Sequence, residues 1–521
     1  MMVLVVQSIL PLLILSSVLL CPEIASQVPV SEGGQGAEAR LSRALTFLRS
    51  RELQKAREEL KAALELNPKL AQGYLYLGVV ESQLGNPTVA LDHLRRALQL
   101  APDSEASHYN LALVLLRLGK TDEAIQELQE TVKRNPALTD ARYNLGVLLS
   151  ESGRFTEALG HLEAAREARP GDSAVLIHLA RAYLGSRQTD RAVELLSPLR
   201  KEPVWQFHYL LGLALIQSGK PEAAMQELRE AVSLKPDDAA THFSLGSLLL
   251  DLKEASEQQA GVQHLEKAIE LAPREADYYR RLGQWLLQQG EFGRAIPLLR
   301  RAVDEVPPSG DLYLMLGLAE AETHGADVAR SLVEKAVAMN PNIAPALSLL
   351  GNCYFRLGEY EKAVAYYRKA LALNPQSDKY HYDVGLALER LNRAADALPF
   401  VEKAIQLKPG QGSTHYLLGK VYARLGRLAE ALREFETSVQ LEPESEFAYY
   451  QLARGYMRLG EPARAQEWNS KLIELKGIKD RRVGLTTPAS GVNLPESTRS
   501  WVGQASEPSS ESRASPARPR P

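Results

Sequence analysis

The side chains that could do chemistry are ten histidines, two cysteines and many carboxylates. Five histidines, His108, His208, His242, His381 and His415, fall at one point of a sequence that repeats itself. A zinc ion needs ligand nitrogens within about 2.0–2.1 Å. Equivalent points on successive packed helices lie about 10 Å or more apart. The five cannot easily converge on one ion and read as partly buried packing residues. No HExxH, paired CxxC or GxSxG occurs. The stretch LRLGKTDEA at 116–124 ends like a phosphate-binding loop, but that loop needs a glycine where Val114 stands. Cys353 reads as a small buried apolar residue, and Cys21 lies in an apolar leading segment. Carboxylates sit beside basic residues, as in EYEKA and REFE, and read as solvated helix faces. The sequence therefore points to a protein that is no enzyme and carries neither metal nor cofactor.

The elements that position these residues are helices. In 344–377, apolar residues recur at helical spacing: Leu347, Leu350 and Tyr354, then Val364, Tyr367 and Leu371. Gly358 breaks the two runs apart, and Pro375 stops the second. Such a helix–turn–helix cannot bury its apolar face alone and needs neighbours. The closing prolines are Pro68, Pro102, Pro136, Pro170, Pro203, Pro236, Pro273, Pro307, Pro341, Pro375, Pro409 and Pro443. They lie 34 residues apart except for spacings of 33, 33 and 37 in the middle. A further unit at about 446–479 has Gly477 where proline would fall. Small residues recur within the frame, such as Gly78, Gly146, Gly351 and Gly385 on first helices and Ala56, Ala90, Ala363 and Ala397 on second helices. They permit close crossing, and a larger side chain there typically costs about 1–3 kcal/mol by overpacking. The unit at 239–275 carries three extra residues near DLKEASEQQAG, and Gly261 stands where alanine is usual. It implies a longer turn, or else a bend dividing the array.

This pattern resembles the tetratricopeptide repeat, whose signature is Trp-x2-Leu-Gly-x2-Tyr, then Ala-x3-Phe, then Pro. Here the signature stands as Leu347, Leu350-Gly351, Tyr354, Ala363, Tyr367 and Pro375. The resemblance implies an all-α, right-handed superhelical solenoid of about thirteen repeats that binds protein or peptide segments in a concave groove. An aromatic residue recurs two positions before the first-helix leucine: Tyr109, Tyr143, Tyr209, Phe243, Tyr382, Tyr416 and Tyr450. In the resembled fold this position faces the groove, where tyrosine offers contact area and a polar tip. Packing of each ring between neighbouring first helices is the other reading. The Lys/Asn carboxylate clamp of some relatives is matched only by Asn352, and the asparagine ladder of others only by Asn110 and Asn144. The function implied is a binding scaffold, or alternatively an accessory subunit that positions a separate enzyme or an envelope-assembly machine.

Net charge of −3 gives no reason to expect a nucleic-acid partner. Residues 3–20 are almost wholly apolar and are followed by Ala25 and Ser26, as in a secretory signal peptide. No Lys or Arg precedes the run, and a retained membrane anchor is the rival reading. The expected organisation is a signal or anchor at 1–26, a linker at 27–36, the repeat array at 37–479 and a Pro/Ser/Arg-rich disordered tail at 480–521. The chain so read resembles an exported bacterial member of the family, periplasmic or extracellular.

Overall fold

The structure is a computed structural model that describes residues 36–483, with side chains as far as Lys476. The expected signal or anchor and most of the expected tail lie outside the described residues. Among the described residues there are 26 α-helices, from α1 (Ala37–Arg49) to α26 (Pro462–Val483), and no strand. Each odd-numbered helix is the first of a pair, and the next even-numbered helix is its second. The chain divides into two compact units, 1–251 and 252–521. In both, a first helix packs on its own second helix, and that second helix packs on the next first helix.

The two kinds of helix differ because of this layering. α8 (Phe155–Ala168), a second helix, buries one stripe: Ala158, Leu159, Leu162 and Ala165. α3 (Ala71–Gln83), a first helix, buries nearly every residue from Gly73 to Ser82. A helix buried on most sides is apolar on most sides. A first helix is enclosed by its own partner and by the preceding pair, whereas a second helix keeps one face in solvent.

Gly78 and Gly351 occupy the crossing points. A Cβ on Gly78 would stand 2.6 Å from Leu94 Cγ, and one on Gly351 would stand 2.5 Å from the Tyr367 ring. These glycines let the two helices of a pair touch. Gly119 does a different job. Its φ is +72°, in the left-handed region, and Lys120 N donates to Leu115 O at 2.9 Å. That is a helix C-terminal cap, so Gly119 belongs to an inter-helix turn and not to a phosphate cradle. Arg51, Arg187 and Asn392 take the same backbone conformation, with φ near +60°, where other pairs have glycine.

The long unit resolves differently from a simple longer turn. α13 (Ala239–Leu250) is followed by a short turn, and α14 (Ala255–Leu271) has 17 residues against the usual 14 of a second helix. The extra residues thus lengthen the second helix at its start. The division between the two compact units falls in this same turn, at Asp251/Leu252. A second irregularity is α10 (Thr189–Leu196). It stops early and passes into a 3-10 turn at Ser197–Leu199, because Pro198 cannot donate the next helical hydrogen bond.

Candidate protein-binding surface

The aromatic series lies on seven first helices. In the first unit, Tyr109 is on α5 (Glu105–Arg117), Tyr143 on α7 (Thr139–Glu151), Tyr209 on α11 (Trp205–Gln217) and Phe243 on α13. In the second unit, Tyr382 is on α21 (Asp378–Arg390), Tyr416 on α23 (Gly412–Arg424) and Tyr450 on α25 (Glu446–Arg458). Side-chain caps fix some of these helix starts: Ser104 Oγ accepts from Ser107 N, and Ser377 Oγ from Tyr380 N, each at 3.2 Å.

The seven are not equivalent in exposure. Tyr109 is buried at 3 % exposure, Tyr143, Tyr209, Phe243, Tyr382 and Tyr416 are half-buried, and Tyr450 is 54 % exposed. Four of them share one register, reaching the residue 35 positions on in the next first helix. Asn144 Nδ2 donates to the Tyr109 hydroxyl at 3.2 Å. Tyr143 meets the His178 ring edge-on at 5.8 Å. Ser244 hydrogen-bonds Tyr209, and Gln451 hydrogen-bonds Tyr416. The rings therefore join neighbouring first helices and also leave area open. Only Tyr109 is closed over entirely.

Each unit adds an acid–base group to these helices. In the first unit, Glu151 near the end of α7 has a buried Oε1 with no hydrogen-bond partner. Burial pushes its carboxyl up to about 7, against a smaller pull from Arg181. His178 and Arg181 lie on α9 (Ser173–Gly185). Burial holds His178 down to about 4, so it is neutral at pH 7. In the second unit, burial raises the Asp383 carboxyl and lowers the Lys379 ammonium on α21, each partly offset by the other's charge. Asp383 Oδ2 is shielded from solvent without a hydrogen-bond partner. Asn352, the residue matching the carboxylate clamp, instead accepts the Tyr367 hydroxyl through Oδ1 at 2.7 Å. Asn110 donates Nδ2 to the Ala106 carbonyl of its own helix at 2.8 Å.

Three recurrent ties escaped the sequence reading. His108, His208 and His415 pair through Nδ1 with Glu127, Glu227 and Glu434 at 2.6, 2.8 and 2.7 Å. His108, His242, His381 and His415 meet the closing-proline carbonyls of Pro102, Pro236, Pro375 and Pro409 through Nε2 at 2.9–3.1 Å. These histidines fasten the loop between repeats to the helices. Among the described residues no cluster of three potential ligands forms. The third tie joins pairs: Tyr183, Tyr354, Tyr422 and Tyr456 donate to Glu163, Glu334, Glu402 and Glu436 at 2.6–3.1 Å, always 20 residues back. The spacing was legible in the sequence, but the pairing needed the crossing geometry.

Cys353 is buried, and burial raises its thiol to about 11, which keeps it protonated at neutral pH. No helix among the described residues is long and apolar enough to cross a membrane.

Family models described as tetratricopeptide repeat match 69–137, 109–173, 149–204, 178–239, 209–258, 248–310, 344–377, 367–412, 412–445 and 447–468. No curated protein matches. Similar solved structures include MamA from Desulfovibrio magneticus RS-1, with 24 % identity over 33 % of this chain and 97 % of that one, at a TM-score of 0.32. MamA AMB-1 shows 28 % identity over 32 % and 99 %, at 0.30. The APC/C hetero-tetramer Cut9–Hcn1 shows 15 % identity over 80 % and 96 %, at 0.38. With family matches over more than half of its length, side chains tied at the repeat period and helix pairs throughout, the chain belongs to the tetratricopeptide repeat family.

Proposed function

We propose that this protein is a non-catalytic scaffold whose first helices hold extended segments of other proteins. The supporting observation is the aromatic series, five of whose seven members are half-buried, with Tyr143, Tyr209 and Tyr416 each held by a residue of the next first helix. Rigid aromatic side chains with polar tips carry a large share of interface energy. The acid–base groups beside them are shifted toward their neutral forms, which suits backbone amides and uncharged side chains better than a charged ligand. Replacing Tyr382, Tyr416 and Tyr450 together by Ala tests the reading. A binding role predicts weaker capture of a partner held by the native protein, by roughly 1–2 kcal/mol per anchor. A packing role predicts loss of stability instead, about 3–5 kcal/mol for a fully buried aromatic. Unchanged affinity together with lost hydrogen-exchange protection in α21–α26 would refute the binding role.

We place the scaffold outside the cytoplasm, as a periplasmic or extracellular protein, on the apolar run at 3–20 and the small residues after it. N-terminal sequencing of the mature protein should begin near Ser26 or Gln27. An intact Met1 on membrane-bound protein would favour a retained anchor, and an intact Met1 on cytoplasmic protein would sink both.

A further inference from the structure

The last helix pair, α25 and α26, carries exposed large apolar side chains: Phe447 at 73 %, Tyr450 at 54 %, Met457 at 61 % and Ile473 at 63 % exposure. Two of these occupy positions that an earlier repeat buries, and a third occupies one that is half-buried in the preceding repeat. Ile473 corresponds, 34 residues on, to Val439, which is 8 % exposed and packs in one cluster with Ala448 and Leu452 of the following first helix. Met457 corresponds, two repeats on, to Glu389, which is 0 % exposed beneath Lys420 and Arg424 of its following first helix, at 3.0 and 2.8 Å. Tyr450 corresponds to Tyr416, half-buried and bonded to Gln451 of the next first helix. In each earlier case the cover is a first helix of this chain's own kind. No described residue supplies it after α26. A repeat array normally ends in a polar capping face, whereas this last described pair leaves four large apolar side chains exposed.

We propose that the α25–α26 face docks against the same face of a second copy of this chain, forming a two-fold symmetric dimer. Three observations favour that occupant. The missing cover is a first helix with an exposed apolar side, and α25 is such a helix. The charges on and around the face are mixed, with Arg454, Arg458, Arg464, Lys471 and Lys476 set against Glu446, Glu461, Glu467 and Glu474, so two copies approach without strong like-charge repulsion. Finally, α1 exposes no large apolar side chain among its residues. A head-to-tail contact onto α1 is therefore not offered, and self-complementary pairing of one face is the arrangement left.

The test is the mass of the full chain by sedimentation velocity or light scattering, run beside two variants. The expected results are a particle of twice the 57.5 kDa chain and complete loss of dimer, at the same concentration, in Met457→Glu/Ile473→Glu. Both of those residues are exposed in the single chain, so its helix content should not change. The second variant stops after Val483 and should remain dimeric. A native monomer overturns the proposal, as does a dimer that survives the double substitution. If only the shortened chain dimerises, residues 484–521 are the natural cover and the proposal also falls.

Discussion

At the residue scale, space and solvation decide the outcome of small changes, and two glycines on helices show it. Gly351→Ala gains about 1 kcal/mol of helix propensity. It also drives a Cβ to 2.5 Å from the Tyr367 ring, which cannot swing aside while its hydroxyl is held by Asn352. Overpacking of this kind costs about 1–3 kcal/mol, so the net effect should be a loss, read as weaker hydrogen-exchange protection around α19 (Ala344–Arg356) and α20 (Tyr360–Leu373). Gly160 on α8 meets nothing within 4 Å, and Gly160→Ala should stabilise by up to about 1 kcal/mol. Glu151 supplies the pH dependence. Its folded-state pKa, about 7, lies above the ordinary value of 4.5, so the folded protein holds the proton more tightly. The stability this contributes is fully present below pH 4.5 and is lost as pH rises to about 7. His178, depressed from 6.5 to about 4, runs the other way as pH falls through that range. The two partly cancel in the native chain. The difference between native protein and Glu151→Gln isolates the first: the variant should gain relative thermal stability steadily from pH 4.5 to 7. A difference that does not vary with pH would show that Glu151 titrates normally.

At the element scale, what makes a row of helix pairs into an array is the contact between one pair and the next. Apolar burial supplies most of it, and the Tyr-to-Glu tie fixes its register. Tyr183 donates to Glu163 at 2.8 Å while the Arg191 guanidinium lies over its ring at 4.8 Å. Lys362 over Tyr354 and Arg427 over Tyr422 repeat the arrangement. The carboxylate side of each tie is partly open to solvent. Tyr183→Phe should therefore cost only about 0.5–1.5 kcal/mol, the usual net worth of one hydrogen bond. Tyr183 and Tyr422 lie in different compact units, so the costs of Tyr183→Phe and Tyr422→Phe should add in urea unfolding. A double variant as stable as the native chain would mean that packing alone sets the register.

At the scale of the whole molecule, stability in a repeat array is a sum over pairs and nearest-neighbour contacts, so weak points are local. The turn at 251–254, between α13 and α14, is the place where the two compact units divide, and Lys253 within it is exposed. Brief trypsin digestion should cut there before it cuts within either unit. Both fragments should keep the helical circular dichroism of the parent, because each unit contains its own buried clusters. Early cutting inside a unit, with Lys253 still intact, would contradict that division.

The sequence by itself determined the period, the helix pairs and the turns. Each is dictated locally: proline lacks an N–H, glycine tolerates positive φ, and apolar residues at helical spacing must face a partner. It also marked Cys353 as buried and Gly119 as a turn residue, since both follow from their place in the repeat. Only the tertiary structure decided which surfaces stay open. Tyr109 and Tyr450 occupy one repeat position, yet one is sealed and the other bare, because exposure depends on whether another first helix lies on top. The histidine and tyrosine ties to glutamate were hidden for the same reason. Each joins residues about 20 positions apart on crossing helices, and periodicity along one helix does not tell where another crosses it.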